Sequence, residues 1–340
     1  MSRGSDPFAF AEKASMVIER VTAVLCIGAL PVCVAAQESV ESWPAKPVTM
    51  IVPLSPGAAV DIETRLYAQK LAQNTGRSFV VDYKPGAGTT IGMAHVAKSP
   101  PDGHTLGMIS ASATIATLAY PNLAFDPQKD LALITLMTYR PTLLLVKAST
   151  PLRSVKELVA YARAHPGKVN AGTSGAGSLG ELSWASFART AGIRLTLVHY
   201  KGGAPANIAL VSGEIDMIWG GFASSMGYIK AGKVRVLGIS TLEPPTAAPR
   251  RPHGGGAGRA RLHYLQWIGV GVPAATPSAI IAKLNVELVK VAKDPDVLQR
   301  LSDDGTVAVG SSPERFRAIF QEDVARWRKV AAETGVKFTR

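Results

Sequence analysis

Residues 48–61 read Val-Thr-Met-Ile-Val-Pro-Leu-Ser-Pro-Gly-Ala-Ala-Val-Asp. The apolar run Val48–Leu54 ends abruptly in Ser55-Pro56-Gly57, and a helical pattern opens near Ala59. A strand, a tight glycine turn and a helix start aim backbone N–H groups and a helix N-terminus at whatever sits above the turn, which suits an anion. No catalytic side chain competes for that role. The stretch therefore predicts a protein that holds a carboxylate and does no chemistry on it.

Working outward, strand-like and helix-like runs alternate. After Val48–Leu54 come a helix from Ala59 to about Asn74, a strand at Phe79–Asp82, a helix opened by Gly86-Ala87-Gly88 and ending at Lys98, and a strand at Thr105–Ser110. Leu131–Thr138 and Thr142–Lys147 read as two separate strands. Ser154 is an N-cap for Val155–Ala164, with Glu157 at the capping-box position. Val169–Gly172 is a strand, and Leu179–Ala191 a helix stopped by Gly192. Leu195–His199, Ile215–Trp219, Val234–Ser240 and Ile268–Val272 are strands, and Pro277–Ala292 and Pro313–Ala332 close the chain as helices. Such alternation implies α/β architecture with mixed, mostly parallel sheets flanked by helices.

Composition narrows the function classes. The 340 residues are 47% hydrophobic, ample for a buried core, and the length suggests two domains. The only two cysteines, Cys26 and Cys33, fall in one N-terminal apolar segment, Val21–Ala36, which rules out a disulfide framework elsewhere. That segment is shorter than the about 20 residues of a membrane span. With Arg20 before it and Val34-Ala35-Ala36 at its end it reads as a signal peptide, residues 1–36, with Met16 as an alternative start. The net charge of +12 invites a nucleic-acid reading, but aromatics are 6% and no basic-aromatic stripe appears, so an anionic small molecule is the better beneficiary. The six histidines lie far apart and show no metal-ligand spacing; neither a metal nor a cofactor is expected.

Gly175-Ala176-Gly177-Ser178-Leu179-Gly180 matches G-x-G-x-x-G between a strand and a helix. A dinucleotide fingerprint wants an acid about 20 residues on, and Leu195–His199 is followed by Tyr200-Lys201-Gly202 instead. What survives is a second anion cradle, with Ser174 and Ser178 as extra donors. Gly172-Thr173-Ser174-Gly175-Ala176 approaches a nucleophile elbow but has Ala176 where the second glycine belongs. An exported hydrolase using Ser174 and His199 is the alternative to a binding protein. Asp61, in the first helical turn, either complements the helix N-terminus or points into a cleft. Asp216, inside an apolar strand pattern, needs a partner such as backbone or a cleft water.

Taken in order, these motifs resemble the Bug-type substrate-binding proteins of bacterial tripartite tricarboxylate transporters. Val52-Pro53-Leu54-Ser55-Pro56-Gly57-Ala58-Ala59-Val60-Asp61 is similar to that family's V-P-F-x-P-G-G-x-x-D. Trp43-Pro44, Lys84-Pro85-Gly86-Ala87-Gly88, Pro101-Asp102-Gly103, Tyr200-Lys201-Gly202, Gly213-Glu214-Ile215-Asp216 and Pro273-Ala274-Ala275-Thr276-Pro277 follow it as well. The resemblance implies a periplasmic type II Venus-flytrap fold. Its first domain would be residues 43–147 plus 266–340 and its second 148–265, and the two would close on a small carboxylate. It implies a monomer that hands its ligand to membrane transporter subunits or a sensor, with no nucleic-acid partner. It carries ligand binding onto Ser55, Gly57, Ala58, Ala59 and Asp61 in the first cradle and onto Ser174, Gly177, Ser178 and Leu179 in the second. Ser110, Ala111 and Ser112 would line the cleft beside them, and Tyr200 and Asp216 are expected to bind the ligand as well.

Several positions depart from the pattern. Ala58 replaces the second glycine of P-G-G, Leu179 stands where a Ser or Thr is usual, and Glu181 where a His is usual. Leu179 removes a donor and favours an acid with an apolar portion over a simple dicarboxylate. Pro249–His263, rich in Arg and Gly, replaces a loop resembling D-V-P-T-V-A-E-x-G and has the composition of a GC-rich stretch read in a shifted frame.

Overall fold

The computed structural model describes residues 42–54, 56, 59–120, 122–176, 178–200, 203–240, 265–303, 305–336 and 338. The signal-like segment, the basic stretch 249–263 and the turn residues Ser55, Gly57, Ala58 and Gly177 lie outside them.

The first strand, β1 (Val48–Val52), pairs in parallel with β2 (Phe79–Tyr83) on one side and β3 (Thr105–Ser110) on the other. Helix α1 (Ala59–Thr75) returns the chain from β1 to β2, and α2 (Thr90–Ala97) from β2 to β3. These are β–α–β returns of the kind the alternating pattern implies. From β3 inward the pairing turns antiparallel. Strand β9 (Leu265–Pro273) runs between β3 and β4 (Leu131–Lys147), antiparallel to both. At the far edge, β5 (Asn170–Thr173) is parallel to β6 (Thr196–His199) and to β7 (Met217–Gly221). Parallel ladders thus occupy the flanks, and antiparallel ones the centre.

Strand β4 is the pivot of the sheet and corrects one reading. Leu131–Thr138 and Thr142–Lys147 are not two strands but one of 17 residues. Its first half pairs with β9 and with the short β10 (Val307–Ala308); from Thr142 on it pairs with β7 and β8 (Val234–Ile239). Pro141 would break a central ladder because it has no N–H. Here it falls at the changeover, opposite Leu265, the first residue of β9. The strand carries on through it.

Each half of the sheet is covered on both faces. Around β1 and β3, one face packs Met50 and Val52 against Tyr67 and Leu71 of α1 and Leu284 and Leu288 of α8 (Ser278–Lys293). The other face packs Met93 and Val96 with Phe316, Phe320 and Trp327 of α10 (Pro313–Thr334). In the second half of β4, Leu143 and Leu145 point to one cluster and Leu144 and Val146 to the other, the period-2 signature of a strand buried on both sides. Trp184 anchors the latter, stacked on Trp219 at 4.7 Å with its Nε1 donating to Gly172 O at 2.9 Å.

The predicted N-cap of Ser154 operates, and Ser178, read from the sequence only as an anion donor, also caps a helix. Ser154 accepts from Glu157 N at the start of α4 (Val155–Ala164), and Ser178 from Glu181 N at the start of α5 (Leu179–Ala191). Gly192 ends α5 in the left-handed region, φ 63°. The helix α9 (Pro295–Asp303) went unpredicted. Its signal is Asp294-Pro295, a capping acid followed by proline at the first helical position. Asp294 Oδ1 accepts from Asp296 N at 2.9 Å and Val297 N at 3.3 Å. Among the described residues no helix is long and apolar enough to cross a membrane.

Candidate functional site

A cavity of about 440 Å³ opens where the C-terminal ends of β3 and β5 approach the changeover of β4. Four serines converge on it. Ser110 ends β3 and Ser112 sits in the 3-10 turn that follows; Ser174 follows β5 and Ser178 caps α5. Ala111 lies between the first pair and Leu179 beside the second. The Ser110 hydroxyl is buried without a hydrogen-bond partner among the described residues, so its donor is available to a guest. The Ser178 oxygen accepts from Glu181 N at 3.2 Å, which leaves its O–H as a donor too. The N-terminus of α5, a helix of 13 residues, ends at this cradle.

The remaining walls are largely apolar: Leu54 and Val60 from the opening motif, Ile115 and Tyr120 after β3, Trp267 from β9, and Phe338 near the C-terminus. Gly88 packs closely on Tyr120: a Cβ there would sit 3.0 Å from the ring, which would have to give by a few tenths of an ångström. Trp267 is fixed from behind by its Nε1 donating to Asp323 at 2.8 Å. Burial pushes the Asp323 carboxyl above its ordinary range, against the opposing pull of Trp267 and Arg326.

Ser110, Ala111, Ser112, Ser174, Ser178 and Leu179 are thus brought together. Ala59 is the first residue of α1. Asp61 does not line the cavity: it is buried, and its Oδ1 accepts from Tyr83 at 2.6 Å and from Arg65 at 2.8 Å. Tyr200 also stays outside. Its hydroxyl donates to Glu214 at 2.8 Å, and burial, with that carboxylate second, pushes it up to about 12. Asp216 is not inside a strand but one residue before β7, where it accepts from Asn170 N at 2.7 Å. Asn170 and Asp216 stand at the N-terminal edge of the parallel ladder, whereas the cavity lies beyond the C-terminal edge. The Ser174–His199 pairing that a hydrolase needs is replaced by another: His199 Nδ1 lies 2.8 Å from Thr173 Oγ1, and Nε2 lies 3.8 Å from Glu181.

One charged group escaped the sequence reading. Arg140 lines the cavity together with Thr138, two positions earlier on β4. Its Nη2 forms an ion pair with Glu63 of α1, its Nε donates to Thr306 at 2.9 Å, and Thr138 donates to Glu63. Glu63 was detectable in principle. It shares the buried stripe of α1 with Val60, Thr64 and Tyr67, and an acid on such a stripe demands a buried partner.

The sequence model of the tripartite tricarboxylate transporter family receptor matches residues 64–336. The chain belongs to that family. It is 33% identical over 297 residues to a protein of the tcbD-tcbE intergenic region of a Pseudomonas sp., covering 87% of this chain and 88% of that one. Among solved structures, it is similar to R. palustris Rpa4515 with adipate, at 31% identity and TM-score 0.67, covering 86% of this chain and 99% of that one. It is also similar to MatC from Rhodopseudomonas palustris with bound malate, at 30% identity and TM-score 0.65, covering 85% and 99%. The family is one of binding proteins, which gives the hydrolase alternative no support. Among the described residues the four-serine cradle is neutral, and the charged side chain on the same cavity wall is Arg140.

Proposed function

We propose that this receptor captures a small organic acid in the serine-lined cavity and delivers it to a transporter of the tripartite tricarboxylate type or to a sensor. The observation that carries this reading is the convergence of Ser110, Ser112, Ser174 and Ser178 on one cavity at a helix N-terminus. Oriented neutral donors hold a carboxylate well, since each hydrogen bond to a charged group contributes about 1.5–3 kcal/mol. The solved relatives with adipate and malate support an acid as ligand. On this reading the turn residues Ser55, Gly57, Ala58 and Gly177 add backbone and hydroxyl donors, and the protein acts outside the cytoplasm as a monomer. Residues 43–147 with 266–340 and residues 148–265 act as two jaws that close over the acid, with the changeover of β4 at the hinge.

A thermal-shift screen of the purified protein against mono- and dicarboxylates, amino acids and aromatic acids tests this. Stabilisation by a subset of acids, without turnover of the acid, is expected. Turnover, or no stabilisation by any acid, would overturn the reading.

A further inference from the structure

We infer that Arg140 is a specificity-determining residue that takes a second acidic group of the ligand, at a distance from the serine cradle. The inference rests on the receptor reading above and deepens it. Among the described residues Arg140 carries the one charged side chain on the cavity wall. It belongs to an ion pair with a definite orientation. Glu63 is 1% exposed and stands behind the wall, whereas the Arg140 side chain is 22% exposed and forms part of it. The pair is neutral as a whole, yet it turns its positive end to the guest.

The guanidinium is also held in one pose. Nη2 is drawn to Glu63 and Nε to Thr306, while Thr138 secures the other carboxylate oxygen of Glu63. These contacts come from α1, from β4 and from the turn before β10, so three separate parts of the fold converge to place one cation. The Nη1 hydrogens have no partner among the described residues. A buried ion pair recovers its desolvation cost only when its remaining donors are satisfied. A planar fork with open N–H groups at a cavity wall matches a carboxylate, by geometry as well as by charge. The neutral cradle and the single cation thus sort acids by their far end: one acidic group for the serines, another for Arg140, and the apolar walls of Leu179, Trp267 and Phe338 along the chain between them.

Isothermal titration of the purified full chain tests this, using straight-chain diacids of about four to eight carbons and the monoacids of the same lengths. At the best length the diacid should bind at least about 10-fold more tightly than its monoacid. In a Glu63→Gln/Arg140→Gln variant, which removes both charges together and leaves no buried carboxylate unpaired, that preference should fall below about 3-fold with monoacid affinity little changed. Arg140→Lys keeps the charge without the fork and should retain an intermediate preference. Equal binding of diacid and monoacid by the parent protein overturns the role of Arg140 and needs no variant to fold. A double variant that keeps the full preference overturns it too. Binding of neither series would instead remove the receptor reading on which the inference stands.

Discussion

Ser178 has two jobs that can be pulled apart. Its oxygen caps α5 by accepting from Glu181 N at 3.2 Å, and its O–H faces the cavity. Ser178→Ala removes both. Loss of the cap costs about 1 kcal/mol of folding stability. For a protein of this size that lowers Tm by about 2 °C. Loss of one hydrogen bond to a carboxylate costs roughly 1.5–3 kcal/mol of binding, which weakens Kd roughly 10- to 150-fold. Ser178→Asp separates the two, because aspartate caps helices as well as serine does but sets a carboxylate against the ligand's own. Its Tm without ligand should stay within about 1 °C of the parent, while binding falls by more than about 100-fold through like-charge repulsion. Scanning calorimetry reads the first quantity and titration with the tightest acid from the screen reads the second. If Ser178→Ala lowers Tm and leaves Kd unchanged, the serine is a cap and nothing more, and the cradle loses the donor nearest the helix N-terminus.

Three further outcomes follow from neighbouring features. Leu179→Thr restores a donor to the second cradle at a cost of about 2 kcal/mol in buried apolar contact, and should move the ligand ranking in a melting screen toward smaller, more polar acids; an unchanged ranking refutes the role given to Leu179. Gly269→Ala would place a Cβ 2.2 Å from the Phe316 ring and 2.7 Å from Thr135 O in the centre of the sheet. Overpacking of that kind costs at least about 1–3 kcal/mol, so an unaltered denaturation midpoint would contradict the packing described. The third concerns pH. Burial raises the Asp323 carboxyl above its ordinary 3.8, and a raised carboxyl contributes stability that is present below 3.8 and is lost as pH rises through the higher folded value. Asp323→Asn keeps an acceptor for Trp267 and removes the titration. Stability of the variant relative to the parent should therefore climb as pH rises from about 3.8; parallel stability curves across that window would show that Asp323 is not the group responsible.

What could be read from the chain, and what could not, divides along one physical line. The α5 span from Leu179 to Ala191 is legible to the residue because Ser178 and Gly192 mark its ends locally. β3 is legible because Thr105–Ser110 is an apolar run with turn residues on both sides. The serine cradle inherits that legibility: each serine sits where a strand ends or a helix begins, and those points are written in a few adjacent residues. The charged half of the cavity has no such local signature. Arg140 and Pro141 look like a strand break, and they stop being one only because β9 begins, and β7 and β8 take over, at that place in three dimensions. Ending the strand at Thr138 loses the alternation that puts Thr138 and Arg140 on the same face. Glu63 leaves a trace, an acid on the buried stripe of α1, but the trace says only that a cation must come from somewhere. Its partner is 77 positions away and is braced by Thr306, more distant still. On the proposed reading, recognition of a carboxylate is thus a local property of turns, and discrimination among acids is a property of the tertiary fold. A substitution at the turns should change how tightly every acid binds, and one in the Glu63–Arg140–Thr306 group should change which acid binds best.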